Sequence, residues 1–172
     1  MESLIHLNNT HSTYRVPFYK LLARKWYNYV MKFNSLLPEL YVTDFQKSLK
    51  FYTKILGFSI EYQRENPCFA FLSYQGSQIM IQEVDAKEDK AFITGTYEYP
   101  FGRGINFQID TNEVEKLAKS LKTQNYPLRR DLQDSWYKKD NTLNGCRQIL
   151  VQDPDGYLLR FSQDIGTKPI QK

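Results

Sequence analysis

The chain is poor in the residues that build metal and redox centres. Cys68 and Cys146 are the only cysteines among 172 residues. They form no C-x-x-C pair, so neither a structural zinc nor a disulfide framework is indicated, and buried or incidental thiols are expected. His6 and His11 are the only histidines, so the body of the chain offers no imidazole. No apolar run approaches the roughly 18 residues of a membrane-spanning helix. The start has no basic n-region, and Leu4-Ile5-His6-Leu7 is too short for the apolar core of a signal peptide. A cytoplasmic protein without a membrane partner is expected. Gly-rich phosphate loops, a G-x-S-x-G elbow and a paired Cys and His are also missing, which removes the commonest nucleotide and acyl-transfer chemistries.

Charge of one sign is missing from most of the chain as well. The net charge is +4, yet residues 1–35 hold five basic groups (Arg15, Lys20, Arg24, Lys25, Lys32) against Glu2 alone. The body from residue 36 is therefore neutral. A nucleic-acid binder shows a basic face, so no nucleic-acid partner is expected. The Arg129-Arg130 pair reads as an exposed strand end.

What is present is apolar and aromatic material, 41% and 15% of the chain, ample for one compact domain or two small modules sharing a core. Residues 1–35 differ from the remainder. Tyr14 to Met31 is aromatic and basic, with Leu21, Leu22, Trp26, Tyr29 and Val30 near helical spacing. This segment is expected to be an extension without a role in the site, and Met31 is expected to be the natural start.

From residue 36 a pattern appears twice. Leu37–Val42 is a strand, and Asp44 caps a helix whose apolar face is Phe45, Leu49, Tyr52, Ile55 and Leu56, with Gly57 as its stop. Phe58–Arg64, Pro67–Tyr74 and Gln78–Val84 follow as strands. A charged connection, Asp85–Arg103, leads to a second strand at 104–110. There Asp110 and Glu113 suggest a capping box for a helix carrying Val114, Leu117, Ala118 and Leu121. Leu128–Gln133 and Ser135–Lys139 are weaker strands, and 140–145 is a polar loop. Gln148–Gln163 then reads as a hairpin about Asp153-Pro154-Asp155-Gly156, where Asp accepts backbone N–H bonds, Pro presets φ and Gly closes the turn. The expectation is an α+β fold of paired β-α-β-β-β modules, 36–84 and 104–165, forming a half-open curved sheet with a tail at 166–172. The concave face of such a sheet is the natural ligand cleft.

Ser48, Phe51-Tyr52 and Leu56-Gly57-Phe58 spell S-x-x-F-Y-x-x-x-L-G-F. Gly145 and Arg147 give a late G-x-R, followed by D-P-D-G at 153–156. In these motifs the chain resembles the vicinal oxygen chelate superfamily, which includes glyoxalases, extradiol dioxygenases, fosfomycin-modifying enzymes and bleomycin resistance proteins. The resemblance covers residues 36–165. Its enzymes hold a divalent metal with His, Glu or Gln on the concave faces. The corresponding positions here are Leu37, Gly104 and Arg160, with Gln82 or Glu83 on the fourth strand. Leu and Gly offer no donor, and a guanidinium repels a cation.

No catalytic residue, metal or cofactor is therefore expected. The resemblance is closest to the bleomycin resistance proteins, which are dimeric and metal-free and sequester a cationic glycopeptide antibiotic in clefts shared by two subunits. It implies a homodimer that binds a small ligand stoichiometrically, with Phe69, Gln82 and Glu83 as wall residues. Where such binders carry Trp before the G-x-R glycine, this chain has Asn144. Trp136, just upstream, is the substitute aromatic. A metal-dependent lyase or dioxygenase with an unusual site is the alternative.

Overall fold

The computed structural model describes residues 31–85, 92 and 94–170. The chain divides into residues 1–32 and 33–172, and the second unit contains both modules. The helical spacing noted at 14–31 and the proposed start at Met31 fall almost wholly outside the described residues. Among the described residues, no helix is long and apolar enough to cross a membrane.

The duplication expected from the sequence is the architecture. Module 1 runs β1 (Glu39–Val42), α1 (Phe45–Lys50, continued by one π turn, Phe51–Ile55), β2 (Ser59–Glu65), β3 (Cys68–Tyr74) and β4 (Ser77–Glu83). Module 2 runs β5 (Asn106–Asp110), α2 (Val114–Thr123), β6 (Leu128–Lys139), β7 (Thr142–Gln152) and β8 (Leu158–Pro169). The two four-stranded sheets have the same order, β1-β4-β3-β2 and β5-β8-β7-β6. In each, the first strand lies parallel to the last, and the remaining pairs are antiparallel.

Period-two alternation sorts each strand into a helix side and an open side. Leu40, Val42, Ala70, Leu72, Ile79 and Ile81 of module 1 face the helices, as do Ile109, Ile149, Val151, Leu159 and Phe161 of module 2. With Phe51, Tyr52, Val114, Leu117 and Leu121 from the helices they form one continuous core. The side chains on the other side of each sheet face away from this core.

Four local details depart from the sequence reading. Leu128–Gln133 and Ser135–Lys139 are one strand, β6, carried through register shifts between Leu128, Arg130 and Gln133. The polar loop shrinks to a turn at Asp140-Asn141 because β7 already begins at Thr142. Beyond residue 165 the chain stays in β8 as far as Pro169. The Asp110–Glu113 capping box does not form. Instead Glu113 N donates to Thr111 Oγ1, and Val114 N donates to Gln163 Oε1. Asp44 caps α1 as expected, accepting from Lys47 N at 2.9 Å.

The two sequence motifs are two halves of one interlock. The hairpin turn of module 2 sits against the start of α1. Asp155 accepts from Thr43 N (3.0 Å), Thr43 Oγ1 (2.6 Å) and Ser48 Oγ (3.1 Å). Asp153 accepts from Tyr52 Oη at 2.9 Å and from the backbone N–H groups of Asp155 and Tyr157. Ser48 and Tyr52 are the first and last residues of S-x-x-F-Y, and Asp153 and Asp155 are the acids of D-P-D-G. Both acids are buried. A buried carboxylate is tolerated only when its lone pairs are met, and each motif supplies the other's partners. Gly156 completes the turn with φ +92, where a Cβ would also lie 2.5 Å from Pro100 Cβ.

Candidate functional site

On the open side of module 1, strand register sets two rows across the sheet. Tyr41, Gln82, Phe69 and Arg64 form one row; Glu39, Met80, Phe71 and Tyr62 form the next. Phe69 and Phe71 are 2% and 0% exposed although they face away from the helices. Their own neighbours cover them. The Arg64 guanidinium lies 3.9 Å over the Phe69 ring, a cation–π contact. The Tyr62 ring lies 5.5 Å from both phenylalanines, and Phe33 packs on Phe71 at 5.3 Å. Two rings of this cluster are presented outward, Phe33 at 53% and Tyr62 at 38% exposed.

The open side of module 2 is polar. Gln108 and Asp110 of β5, Arg160 and Ser162 of β8, and Asn144, Cys146 and Gln148 of β7 share it. Arg160 Nη2 donates to Gln108 Oε1, and Gln108 Nε2 donates to Asp110 Oδ1 at 3.0 Å. A basin of about 650 Å³ is lined by Gln75, Gln108, Asp110, Asn144, Ser162 and Asp164, among others. Its two carboxylates, Asp110 and Asp164, are exposed and form no salt bridge among the described residues. A second cleft, about 550 Å³, lies where the 92–105 connection crosses β1. It is walled by the rings of Tyr41, Tyr97, Phe101 and Tyr157, each 5.4–5.9 Å from the next.

The residues singled out from the sequence are dispersed. Phe69 and Gln82 are cross-strand partners on the open side of module 1. Glu83, next in the chain, turns to the helix side, where its Oε1 accepts from Phe45 N at 3.3 Å. Burial and the nearby Glu83 push the Cys68 thiol up, so that thiol has no activating surroundings. Asn144 lies on the open side of module 2 and lines the polar basin. Trp136 is on the opposite side of its sheet, over Gly145, with Lys168 Nζ 3.8 Å above its ring. A Cβ at Gly145 would lie 2.6 Å from the Trp136 ring, so the glycine of G-x-R admits this tryptophan. Arg147 of the same motif ties Asp134 to Glu115 of α2; the guanidinium holds the Asp134 carboxyl below its usual range.

Tyr62, Arg64 and Phe71 were not singled out from the sequence. Alternation in β2 and β3 puts each on one side of its strand, but only the register brings them together.

The open faces do not fit a catalytic metal. Leu37 precedes β1, Gly104 precedes β5, and Arg160 stands on the open side of β8 with its cation bonded to a neutral amide. Among the described residues, no three His, Cys, Asp or Glu side chains converge as ligands. A divalent catalytic site takes about three such donors.

The fold and open faces define a protein of paired β-α-β-β-β modules. The chain belongs to the glyoxalase/bleomycin resistance protein/dioxygenase superfamily, whose family model matches residues 27–161. A member of that superfamily from Vibrio splendidus 12B01 is 31% identical, covering 74% of this chain and 97% of its own, with a TM-score of 0.34. TioX from Micromonospora sp. ML1 is similar in fold, with a TM-score of 0.59 at 17% identity over 77% of this chain and all of its own. Lactoylglutathione lyase from Agrobacterium tumefaciens gives a TM-score of 0.52 at 14% identity, over 77% of this chain and 95% of its own. No curated protein matches the chain significantly.

Proposed function

We propose that the chain is a non-catalytic binder that sequesters a small ligand, acting as a homodimer, and that a bleomycin-type glycopeptide antibiotic is its ligand class. The observation that carries this reading is Arg160. It puts a fixed cation on the open face where the superfamily's enzymes place a metal-binding carboxylate, bonded to Gln108 rather than to an acid. The surfaces around it suit binding. Tyr62 offers an outward ring for a flat heteroaromatic group. The basin carrying Asp110, Asp164 and Asn144 suits sugar hydroxyls and a cationic tail.

Bound metal tests the non-catalytic part. Purified protein is expected to contain no stoichiometric divalent metal, and added zinc, manganese or iron is expected to produce no turnover of glyoxalase or extradiol dioxygenase substrates. A stoichiometric metal required for turnover would establish the enzyme reading instead.

A further inference from the structure

The basin on the open side of module 2 presents two carboxylates and a buried hydroxyl. Register puts Asp110 of β5 opposite Ser162 of β8, and Asp164 follows two residues along β8 on the same side. Strand spacing and rise set the two acids about 8 Å apart at Cα, with Ser162 beside both. Each carboxylate is held by one oxygen. Gln108 Nε2 donates to Asp110 Oδ1 at 3.0 Å, and Gly166 N donates to Asp164 Oδ1 at 2.7 Å. Among the described residues, Oδ2 of each acid has no hydrogen-bond partner. Ser162 is 5% exposed, lines the basin, and makes no hydrogen bond through Oγ to the described residues. A buried hydroxyl is costly unless a bound group meets it. The remaining wall is polar too. Gln75 Oε1 accepts from Asn112 N at 3.0 Å, which joins the β3–β4 turn to the segment before α2 at the edge of the basin. Apart from Gly145 and Cys146, every described residue lining it has a polar side chain, and none is aromatic. Arg160 does not line it, and its Nη2 is bonded to Gln108.

We propose that this basin binds an aminocyclitol, a saturated ring bearing two ammonium groups among its hydroxyls. One ammonium group donates to Asp110 Oδ2 and the other to Asp164 Oδ2. A ring hydroxyl between them bonds to Ser162 Oγ. Charge-assisted bonds of this kind are the stronger ones, and both acids are already oriented to make them. A flat heteroaromatic group finds no ring here to stack on. An alkyl polyamine satisfies the acids but leaves the hydroxyl and the amides of the wall unmet. An anion is repelled by both carboxylates. The inference rests on the binding role proposed above, though not on bleomycin as the ligand, and names the chemistry that this part of the open face would read.

The test uses the full chain labelled with nitrogen-15 and three ring probes. Streptamine carries two ammonium groups flanking a hydroxyl, 2-deoxystreptamine lacks that hydroxyl, and scyllo-inositol lacks the ammonium groups. Streptamine is expected to shift the backbone amides of Asp110, Asn144, Ser162 and Asp164 saturably. Scyllo-inositol should bind at least about tenfold more weakly and 2-deoxystreptamine about fivefold more weakly, the scales of charged and neutral hydrogen bonds. Asp164→Asn keeps an oxygen for Gly166 N and should weaken streptamine about tenfold. Ser162→Ala should erase the preference for streptamine over 2-deoxystreptamine, as expected when one contact reads that hydroxyl. A backbone spectrum unchanged outside the basin shows that each variant remains folded. Basin signals unmoved by streptamine, scyllo-inositol binding as well as streptamine, or the preference surviving in Ser162→Ala would overturn the proposal. A parallel bleomycin titration separates the two readings. Binding of bleomycin with silent streptamine defeats this inference alone, and the reverse defeats the bleomycin assignment alone.

Discussion

The interlock between the two modules carries a pH dependence that can be worked out from Asp153. This carboxyl is 3% exposed, and burial pushes its pKa up to about 6, against the hydrogen bonds from Tyr52 and the Tyr157 and Asp155 amides, which favour the ion. Unfolded, it returns to the ordinary aspartate value near 3.9. Between those values the folded chain holds a proton that the unfolded chain has lost. Stability from this group is therefore complete below about pH 4 and is lost as pH rises through about 6. A shift of about two units corresponds to about 3 kcal/mol. Other carboxyls contribute slopes of their own, Asp134 in the opposite sense because its pKa is lowered. The difference between wild type and Asp153→Asn isolates the term. Asn keeps an oxygen for the two backbone N–H groups and can donate to Tyr52 Oη. Urea unfolding of both proteins at about pH 4 and about pH 7 is the assay. Wild type should lose about 3 kcal/mol relative to Asp153→Asn over that interval. Parallel pH profiles for the two proteins would refute the reasoning.

Other perturbations follow from the same geometry. Ser48→Ala leaves one oxygen of buried Asp155 short of its hydroxyl and should cost about 1–3 kcal/mol in urea unfolding, with the fold retained. Gly145→Ala drives a methyl into Trp136 and Ile165 and should cost about 1–3 kcal/mol. In a Trp26→Phe background, its fluorescence should shift toward that of solvated tryptophan. Tyr62→Ala removes one of the outward rings on the open face of module 1 and should weaken bleomycin about tenfold in calorimetry, while Trp136→Phe, on the helix side, should leave binding unchanged.

The architecture was legible because it is written twice. Helix faces such as Phe45, Leu49 and Tyr52 and the Asp153–Gly156 turn depend on spacing of a few residues, which a sequence displays directly. The signature motifs marked the fold before their physical reason was visible. That reason is the contact of Ser48 with Asp155 and Tyr52 with Asp153 across more than half the chain. The open faces were less legible, because membership depends on strand parity and register. Gln82 and Glu83 are adjacent in the chain and sit on opposite sides of the sheet, as do Trp136 and Tyr137. One residue of register decides each case. The long β6 was broken in the sequence reading because its shifts at Arg130 and Gln133 interrupt the alternation on which strand recognition depends.

Calorimetric titration of chelator-treated protein with metal-free bleomycin tests the sequestration reading most directly. Saturable binding with a Kd of about 1 μM or tighter, about −8 kcal/mol, is the predicted result. Absence of saturable binding at about 100 μM ligand would contradict it.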